Sequence, residues 1–431
     1  HQGDQVRAAA AGRDLEFVLQ EPQLGTGHAV QCAAPLLGEF SGAVAVLAGD
    51  APLIRSRTLV EMMALHRETG AMVTILTARV PDPSGYGRII RNREGKITGI
   101  VEEKDCLPEQ RLVDEINSSI YAFDYPFLSE NLSRLGHDNR QGEYYLTDLV
   151  GILRREGKRV AAYRHPDSSE ILGVNHRADL ALALGVLRRR KCRALMLDGV
   201  TLLDPDNTYI DHDVEVGTDT VIYPGTHLEG KTRIGPRCLI GPGCHIIDST
   251  LGPDVQVLGN SRIQDSRIQK EARIGPFAHL RPGSSLGQGA QVGNFVETKK
   301  TTLGKGSKAN HHAYLGDAEI GREVNIGAGT ITCNFDGTRK HRTIIEDLVF
   351  IGSDTQLVAP VRIRRGAYVG AGSTITQEVP PYSLAISRCP QTNKEGWVRT
   401  RAGAGKTRNK RSKPRARKTT TRRSVQRRTG S

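Results

Sequence analysis

A six-residue period governs the second half of this chain. Val216, Ile222, Leu228, Ile234, Ile240 and Ile246 stand six residues apart. After one-residue slips Val257 and Ile263 follow, then Ile268, Ile274, Leu280, Leu286 and Val292, and Ile351, Leu357, Ile363, Val369 and Ile375 resume the step downstream. Many of these aliphatics precede a glycine (Gly217, Gly235, Gly241, Gly275, Gly287, Gly293, Gly352, Gly370). Such a period fits neither the 3.6 of a helix nor the alternation of a lone strand. It suits a parallel β-helix, in which each hexad makes one short face and turns a corner, with one aliphatic per hexad pointing inward. Handedness does not follow from the spacing, since parallel crossovers are right-handed as a rule. The repeat breaks most clearly at Cys333-Asn-Phe-Asp-Gly-Thr-Arg-Lys-His-Arg342, a polar, basic run without an inward aliphatic. This run is expected to project outward, and long excursions from a repeat usually carry function.

Residues 1–177 instead alternate short apolar runs with amphipathic stretches, as α/β sheets do. Phe17–Leu19 and Ala43–Ala48 read as buried strands, Thr58–Glu68 as a helix, Met72–Ala78 as a strand, and Ile97–Glu102 as a strand ending in carboxylates. Ligands bind at strand ends in such sheets. The chain begins at His1, and its first residues read as a loop followed by a strand in mid-domain, so it is expected to be a fragment lacking its N-terminus. Residues 178–198 read as a linker helix, 199–398 as the β-helix, and 399–431 as a disordered basic tail.

That tail explains the net charge of +13: Arg399–Ser431 holds 14 Lys and Arg and no Asp or Glu, leaving the first 398 residues at −1. A nucleic-acid contact is therefore expected only non-specifically and through the tail, if at all. The 7 cysteines form no C-x-x-C, as expected for reduced thiols in a cytoplasmic protein. Cys238, Cys244 and His245 match no zinc spacing, and no metal is assigned to them. No run of 18 apolar residues occurs, so membrane insertion is not expected.

Gln20-Glu-Pro-Gln-Leu-Gly-Thr-Gly-His-Ala29 places a Gly-Thr-Gly turn before an apparent helix, where free N–H groups meet a base or phosphate. There follow Leu47-Ala-Gly-Asp-Ala-Pro-Leu53, Gly85-Tyr-Gly-Arg-Ile89, Val101-Glu-Glu-Lys-Asp105, Glu115-Ile-Asn117, Gln141-Gly-Glu-Tyr-Tyr-Leu-Thr-Asp148 and Gly173-Val-Asn-His-Arg177. A strand-end carboxylate and an Asn amide oxygen are hard ligands suited to Mg²⁺. In this order the segments resemble the sugar-nucleotide transferase half of the bifunctional N-acetylglucosamine-1-phosphate uridylyltransferase / glucosamine-1-phosphate acetyltransferases. The resemblance implies an α/β nucleotidyltransferase, Rossmann-like and incomplete. It implies Asp50 and Asn175 as Mg²⁺ ligands, Gln20, Gly25 and Thr26 as uridine contacts, and Gly87, Glu102 and Asn117, with Asn175, around the rest of UDP-N-acetylglucosamine. Such enzymes open with an L-x-A-G-x-G-T-R-M-type loop and a Pro-Lys, neither of which occurs here. The chain as written is expected to transfer UMP poorly.

In the β-helix, Arg281, Glu297, Lys299, His311, Tyr314, Asn325 and Asn334 are polar groups that a repeat needing one aliphatic per hexad does not require. Residues about 18 apart stack in a β-helix. Arg281 and Lys299 are therefore expected one above the other, an arrangement that invites a phosphate, with His311 and Asn325 near the next coils. Acetyl transfer to an amine needs a base, and His311 or His312 supplies one at neutral pH; Glu297 is a candidate to orient it. The runs Ile274-Gly-Pro-Phe-Ala-His-Leu-Arg-Pro-Gly283, Val292–Lys300, Lys308-Ala-Asn-His-His-Ala-Tyr314, Tyr314–Gly321, Asn325–Gly337, Ile351–Pro360 and Ala385–Gln391 closely resemble the acetyltransferase half of the same family. The likeness implies a left-handed parallel β-helix. It selects His311 as proton acceptor, Arg281, Lys299, Tyr314 and Asn325 for the sugar phosphate, and Ala328, Asn334, Phe335, Ser353, Ala371 and Arg388 for acetyl-CoA. Phe335 stands where many relatives have Tyr. The implied substrates are glucosamine 1-phosphate, N-acetylglucosamine 1-phosphate, UTP and acetyl-CoA, and the implied assembly is a homotrimer. The alternatives are a non-catalytic scaffold or nucleic-acid binder acting through the tail, and a β-helix carbonic anhydrase using His279, His311 and His312.

Overall fold

The structure, a computed structural model, describes residues 3–400; beyond its first two residues, the basic tail expected at 399–431 lies outside the described residues. The chain divides into two compact units, residues 1–295 and 296–431.

The first unit runs α1 (Gly3–Ala9), α2 (Thr26–Leu37), β1 (Ala43–Val46), α3 (Ser56–Thr69), β2 (Val73–Arg79), β3 (Arg88–Arg91), β4 (Ile97–Val101), β5 (Glu115–Asp124), α4 (Tyr125–Asn131), α5 (Asp148–Arg155), β6 (Val160–Arg164) and α6 (Arg177–Leu197). Six strands make a mixed sheet in the order β4-β3-β5-β2-β6, with β1 also on β5. Only β2 and β6 are parallel; β5 meets β1, β2 and β3 in antiparallel register. Strand β5 reads Glu-Ile-Asn-Ser-Ser-Ile-Tyr-Ala-Phe-Asp and is buried on both faces, as a central strand must be when helices cover both sides. Its Ile116, Ile120 and Ala122 pack with Met62 of α3 and Leu76, while Tyr121 and Phe123 pack with Leu149 and Leu153 of α5.

Three expectations need correction. Phe17–Leu19 forms no strand, and all three residues are exposed. An apolar run becomes a strand only where another strand offers it backbone partners, and none pairs with this one among the described residues; the guanidinium of Arg7 instead lies 5.6 Å from the Phe17 ring centroid. The loop expected before it contains α1, which buries none of its residues. Strand β1 exists but is half-buried rather than buried, because it pairs along one edge only. A helix stands where one was expected, α6, closed at its N-terminus by a reciprocal His176–Asp179 capping box.

From Thr201 the chain is a left-handed parallel β-helix of short strands. In the first unit one face stacks Ile222, Ile240, Val257, Ile274 and Val292 in register. A second stacks Leu228, Ile246, Ile263 and Leu280, and a third Val216, Ile234, Leu251, Ile268 and Leu286. In the second unit Ile326, Ile351 and Val369 stack, as do Ile320, Ile345 and Ile363. Every one of these aliphatics is buried except half-buried Val216. The slips in the period are tighter corners, with Asp248 and Asp265 at φ +45° and +42°.

A second inward position went unread in the sequence. The residue two before each aliphatic is also buried, and it is mostly small (Thr220, Thr226, Thr232, Cys238, Cys244, Ser249 and Ser261), with valine at Val214 and Val255. The Thr220 hydroxyl donates to the Gly235 carbonyl of the next coil at 2.9 Å, and the Cys238 and Cys244 thiols reach the carbonyls of Gly252 and Leu258 at 3.2 and 3.3 Å. These cysteines are core residues. Burial pushes both thiol pKa values up, which makes them inert.

Candidate functional site

The Gly-Thr-Gly turn sits at the N-terminus of α2 and is sewn to the segment 143–146. Gly27 N donates to Tyr144 O and Tyr144 N to Leu24 O, both at 2.8 Å, and the Thr26 hydroxyl accepts Leu146 N at 3.1 Å. Gly25 has φ +104°, and a Cβ there would fall 2.8 Å from Tyr144 O, so both backbone and space require glycine. The Gln20 amide nitrogen donates to Gly25 O at 2.9 Å.

Gly87, Glu102 and Asn117 come together. A Cβ on Gly87 would lie 3.2 Å from Glu102 Oε2, leaving the carboxylate facing bare backbone. Asn117 N donates to Gly87 O at 2.8 Å, while the Asn117 amide donates to the buried Tyr121 hydroxyl at 2.7 Å. Thr147 donates to Glu102 Oε1 at 3.2 Å. Burial raises the pKa of Glu102, with the Thr147 hydrogen bond opposing it. Underneath, the fully buried Arg88 pairs with Glu103 at 2.7 Å and donates to Tyr86 O, tying the Gly87 turn to the end of β4. Reading the sequence missed Tyr121, Thr147 and Arg88. Thr147 and Arg88 lay within the quoted motifs 141–148 and 85–89, but their contacts join separate segments of the chain, and Tyr121 stands outside every quoted motif.

Asp50 and Asn175, 125 positions apart, also meet. A single point above Gly173 lies 3.6 Å from Asp50 Oδ2 and 3.7 Å from Asn175 Nδ2. Val174 N donates to Asp50 O at 2.8 Å, which fixes the pairing. Gly173 N donates to the Tyr86 hydroxyl at 3.3 Å, so this pair adjoins the Gly87 turn.

In the second unit, strand Tyr314–Gly316 pairs with Glu297–Lys299. Leu315 points inward and is buried, so Tyr314 and Gly316 share the outer face. A Cβ on Gly316 would lie 2.5 Å from the Tyr314 hydroxyl and 2.7 Å from Asn334 Nδ2; this glycine is what lets the two side chains meet. Asn334 is buried and donates to Asp317 Oδ2 at 2.6 Å, and Asp317 N donates to Lys299 O at 2.9 Å. His311 ends strand Lys308–His311 and is exposed. Asn325 pairs in register with Lys308. His312 occupies the corner at φ +47° and gives its carbonyl to Gly329 N at 2.8 Å.

Ala328, Ser353 and Ala371 form a column two residues beyond the stacked Ile326, Ile351 and Val369. Asp354 N donates to Ala328 O at 2.7 Å and Gly372 N to Ser353 O at 2.8 Å, and Arg388 closes the column by donating to Ala371 O at 2.6 Å. The loop after Cys333 projects outward as expected. Exposed Phe335 bridges Lys340, and Asp336 sets the turn by accepting Arg339 N at 2.7 Å and facing His341 Nε2 at 2.7 Å. The Arg339 backbone donor, then His341, holds the Asp336 carboxyl far below the usual range. Arg281 belongs to the first unit, where it is half-buried just after Leu280.

A sheet with a nucleotide turn and a carboxylate–amide pair, followed by a hexad β-helix with a polar column, defines a nucleotidyltransferase joined to an acyltransferase. Known proteins agree. The nucleotidyl transferase family profile matches residues 4–169, the bacterial transferase hexapeptide profile residues 213–248, and the hexapeptide repeat of succinyl-transferase residues 342–377. The bifunctional protein GlmU of Pelobacter propionicus is 52% identical over 398 residues, covering 92% of this chain and 86% of that protein. The GlmU proteins of Trichlorobacter lovleyi and Geobacter metallireducens are also 52% identical over 92% of this chain, covering 86% and 87% of their own lengths. The chain belongs to the GlmU family of bifunctional enzymes.

Proposed function

We propose that the β-helix moves an acetyl group from acetyl-CoA to the amine of glucosamine 1-phosphate, and that the N-terminal half joins the resulting N-acetylglucosamine 1-phosphate to UMP from UTP, the sugar phosphate oxygen attacking the α-phosphorus and pyrophosphate leaving. The product, UDP-N-acetylglucosamine, feeds peptidoglycan and lipopolysaccharide synthesis, and the enzyme works in the cytoplasm as a homotrimer. No helix among the described residues is long and apolar enough to cross a membrane.

The observation that carries the acetyltransferase reading is the convergence of the Tyr314 hydroxyl and Asn334 Nδ2 on one point above Gly316, with Asn334 linked through Asp317 to the Lys299 backbone. Lys299, Tyr314 and Asn325 hold the sugar phosphate. Ala328, Asn334, Phe335, Ser353, Ala371 and Arg388 hold acetyl-CoA, Phe335 offering an apolar ring without a hydroxyl. His311 takes the proton from the amine as its nitrogen attacks the thioester carbonyl; the C–N bond forms, the C–S bond breaks, and CoA leaves as a thiolate that takes up a proton.

In the N-terminal half Gln20, Gly25 and Thr26 hold uridine, and Gly87, Glu102, Asn117 and Asn175 hold the sugar side. Asp50 and Asn175 would hold a Mg²⁺ through Asp50 Oδ2 and, once its amide is turned about, Asn175 Oδ1; both side chains lie beside one point above Gly173, where the missing side chain leaves the space open and Asn175 now presents Nδ2. An ion there would neutralise phosphate charge. The protein's own residues bind and orient the two substrates.

The test is release of free thiol from acetyl-CoA on addition of glucosamine 1-phosphate. We expect His311→Ala to lower kcat at least 100-fold, a typical general-base contribution, with His312→Ala close to wild type. Equal activity of His311→Ala and wild type would remove His311 from the chemistry.

A further inference from the structure

His28 has no part in the roles above, yet it touches the residue assigned to the base. It stands in the first turn of α2, half-buried, with its Nδ1 3.2 Å from Gln20 Nε2. The Gly25 carbonyl can only accept, so the Gln20 atom 2.9 Å from it is the amide nitrogen. That nitrogen carries two hydrogens. One goes to Gly25 O, and the other meets the lone pair of His28 Nδ1. The imidazole proton then sits on Nε2, facing the Cys32 thiol at 3.6 Å one turn along the helix. With both donors engaged, the only polar atom of Gln20 left for a ligand is Oε1, a pure acceptor.

The geometry points to His28 as a positioning residue that sets the base specificity of the nucleotide site by holding Gln20 with its carbonyl, not its amino group, toward the pyrimidine. This rests on the reading of Gln20, Gly25 and Thr26 as the uridine contacts. Uracil presents an N3–H donor, which Oε1 accepts. Cytosine in the same pose presents an N3 lone pair, which Oε1 repels. Without His28 one amide hydrogen loses its partner, the side chain gains freedom to rotate, and the preference weakens.

The experiment measures binding of UDP and of CDP, each with Mg²⁺, to the full chain by calorimetry, for the wild type, His28→Phe, His28→Asn and His28→Gln. Phe fills the ring's space without an acceptor, Asn keeps polarity without the reach, and Gln restores an acceptor at comparable length. One neutral hydrogen bond corresponds to a change of about 3- to 10-fold. The preference for UDP should fall by that factor in the Phe and Asn variants and return with Gln, whereas a merely structural role would weaken both nucleotides alike. A wild type that prefers UDP together with Phe and Asn variants that keep the full preference overturns the inference alone. A wild type that does not distinguish the two nucleotides overturns the uridine reading and the inference with it.

Discussion

Gly316→Ala separates catalysis from folding. The added methyl would lie 2.5 Å from the Tyr314 hydroxyl, 2.7 Å from its ring carbon and 2.7 Å from Asn334 Nδ2, about 1 Å inside ordinary van der Waals contact. The obstructing atoms are side-chain ends rather than backbone, so they move and the coil survives. The folding cost is then a strained or lost hydrogen bond from Asn334 to Asp317, about 1–3 kcal/mol because the acceptor is charged. Activity pays more: displacing positioning groups by about 1 Å costs about 100-fold, or about 2.7 kcal/mol of transition-state stabilisation. Steady-state thiol release should show kcat/KM down by that factor, while thermal unfolding shifts by only a few degrees. An alanine variant that folds and acetylates within threefold of wild type would refute the role given to Tyr314 and Asn334 above Gly316.

Gly185 lies inside α6, and a Cβ there meets only Arg189 Nη1 at an ordinary 3.5 Å, so Gly185→Ala should stabilise the chain to denaturant by about 1 kcal/mol; a loss of stability would refute this. Glu115 is lowered from 4.5: burial opposes ionisation, but Arg91, at 2.6 Å, and Thr77 more than offset it. A carboxylate whose folded pKa is depressed contributes stability that is present above its unfolded value and lost as pH falls through the folded one. Glu115→Gln should therefore cost about 1.5–3 kcal/mol at pH 7, with the gap to wild type closing below about pH 4; a gap independent of pH in urea titrations would count against the ion pair.

Some of this protein is local and was legible in the sequence. One inward aliphatic per hexad is a requirement each coil meets within itself, so Ile222 to Val292 announce the β-helix without reference to anything distant. Helix α6, capped by His176 and Asp179, was equally plain. Phe17–Leu19 misled because apolar content cannot say whether a partner strand exists. Likewise the slips at Leu251 and Ile268 are visible as shortened spacing, but only the coil shows tight corners at Asp248 and Asp265.

The sequence by itself determined the repeat, the order of the motifs and the family they resemble. Tertiary structure alone decided which of those motifs touch. Asp50 meets Asn175 because a backbone hydrogen bond joins Val174 to Asp50; Glu102 meets Thr147 because α5 packs over β4; Tyr314 meets Asn334 because one coil brings them together over a glycine. Periodicity is carried by neighbours along the chain, whereas a site is carried by neighbours in space, and only the closed backbone hydrogen-bond network and packed core turn the first into the second.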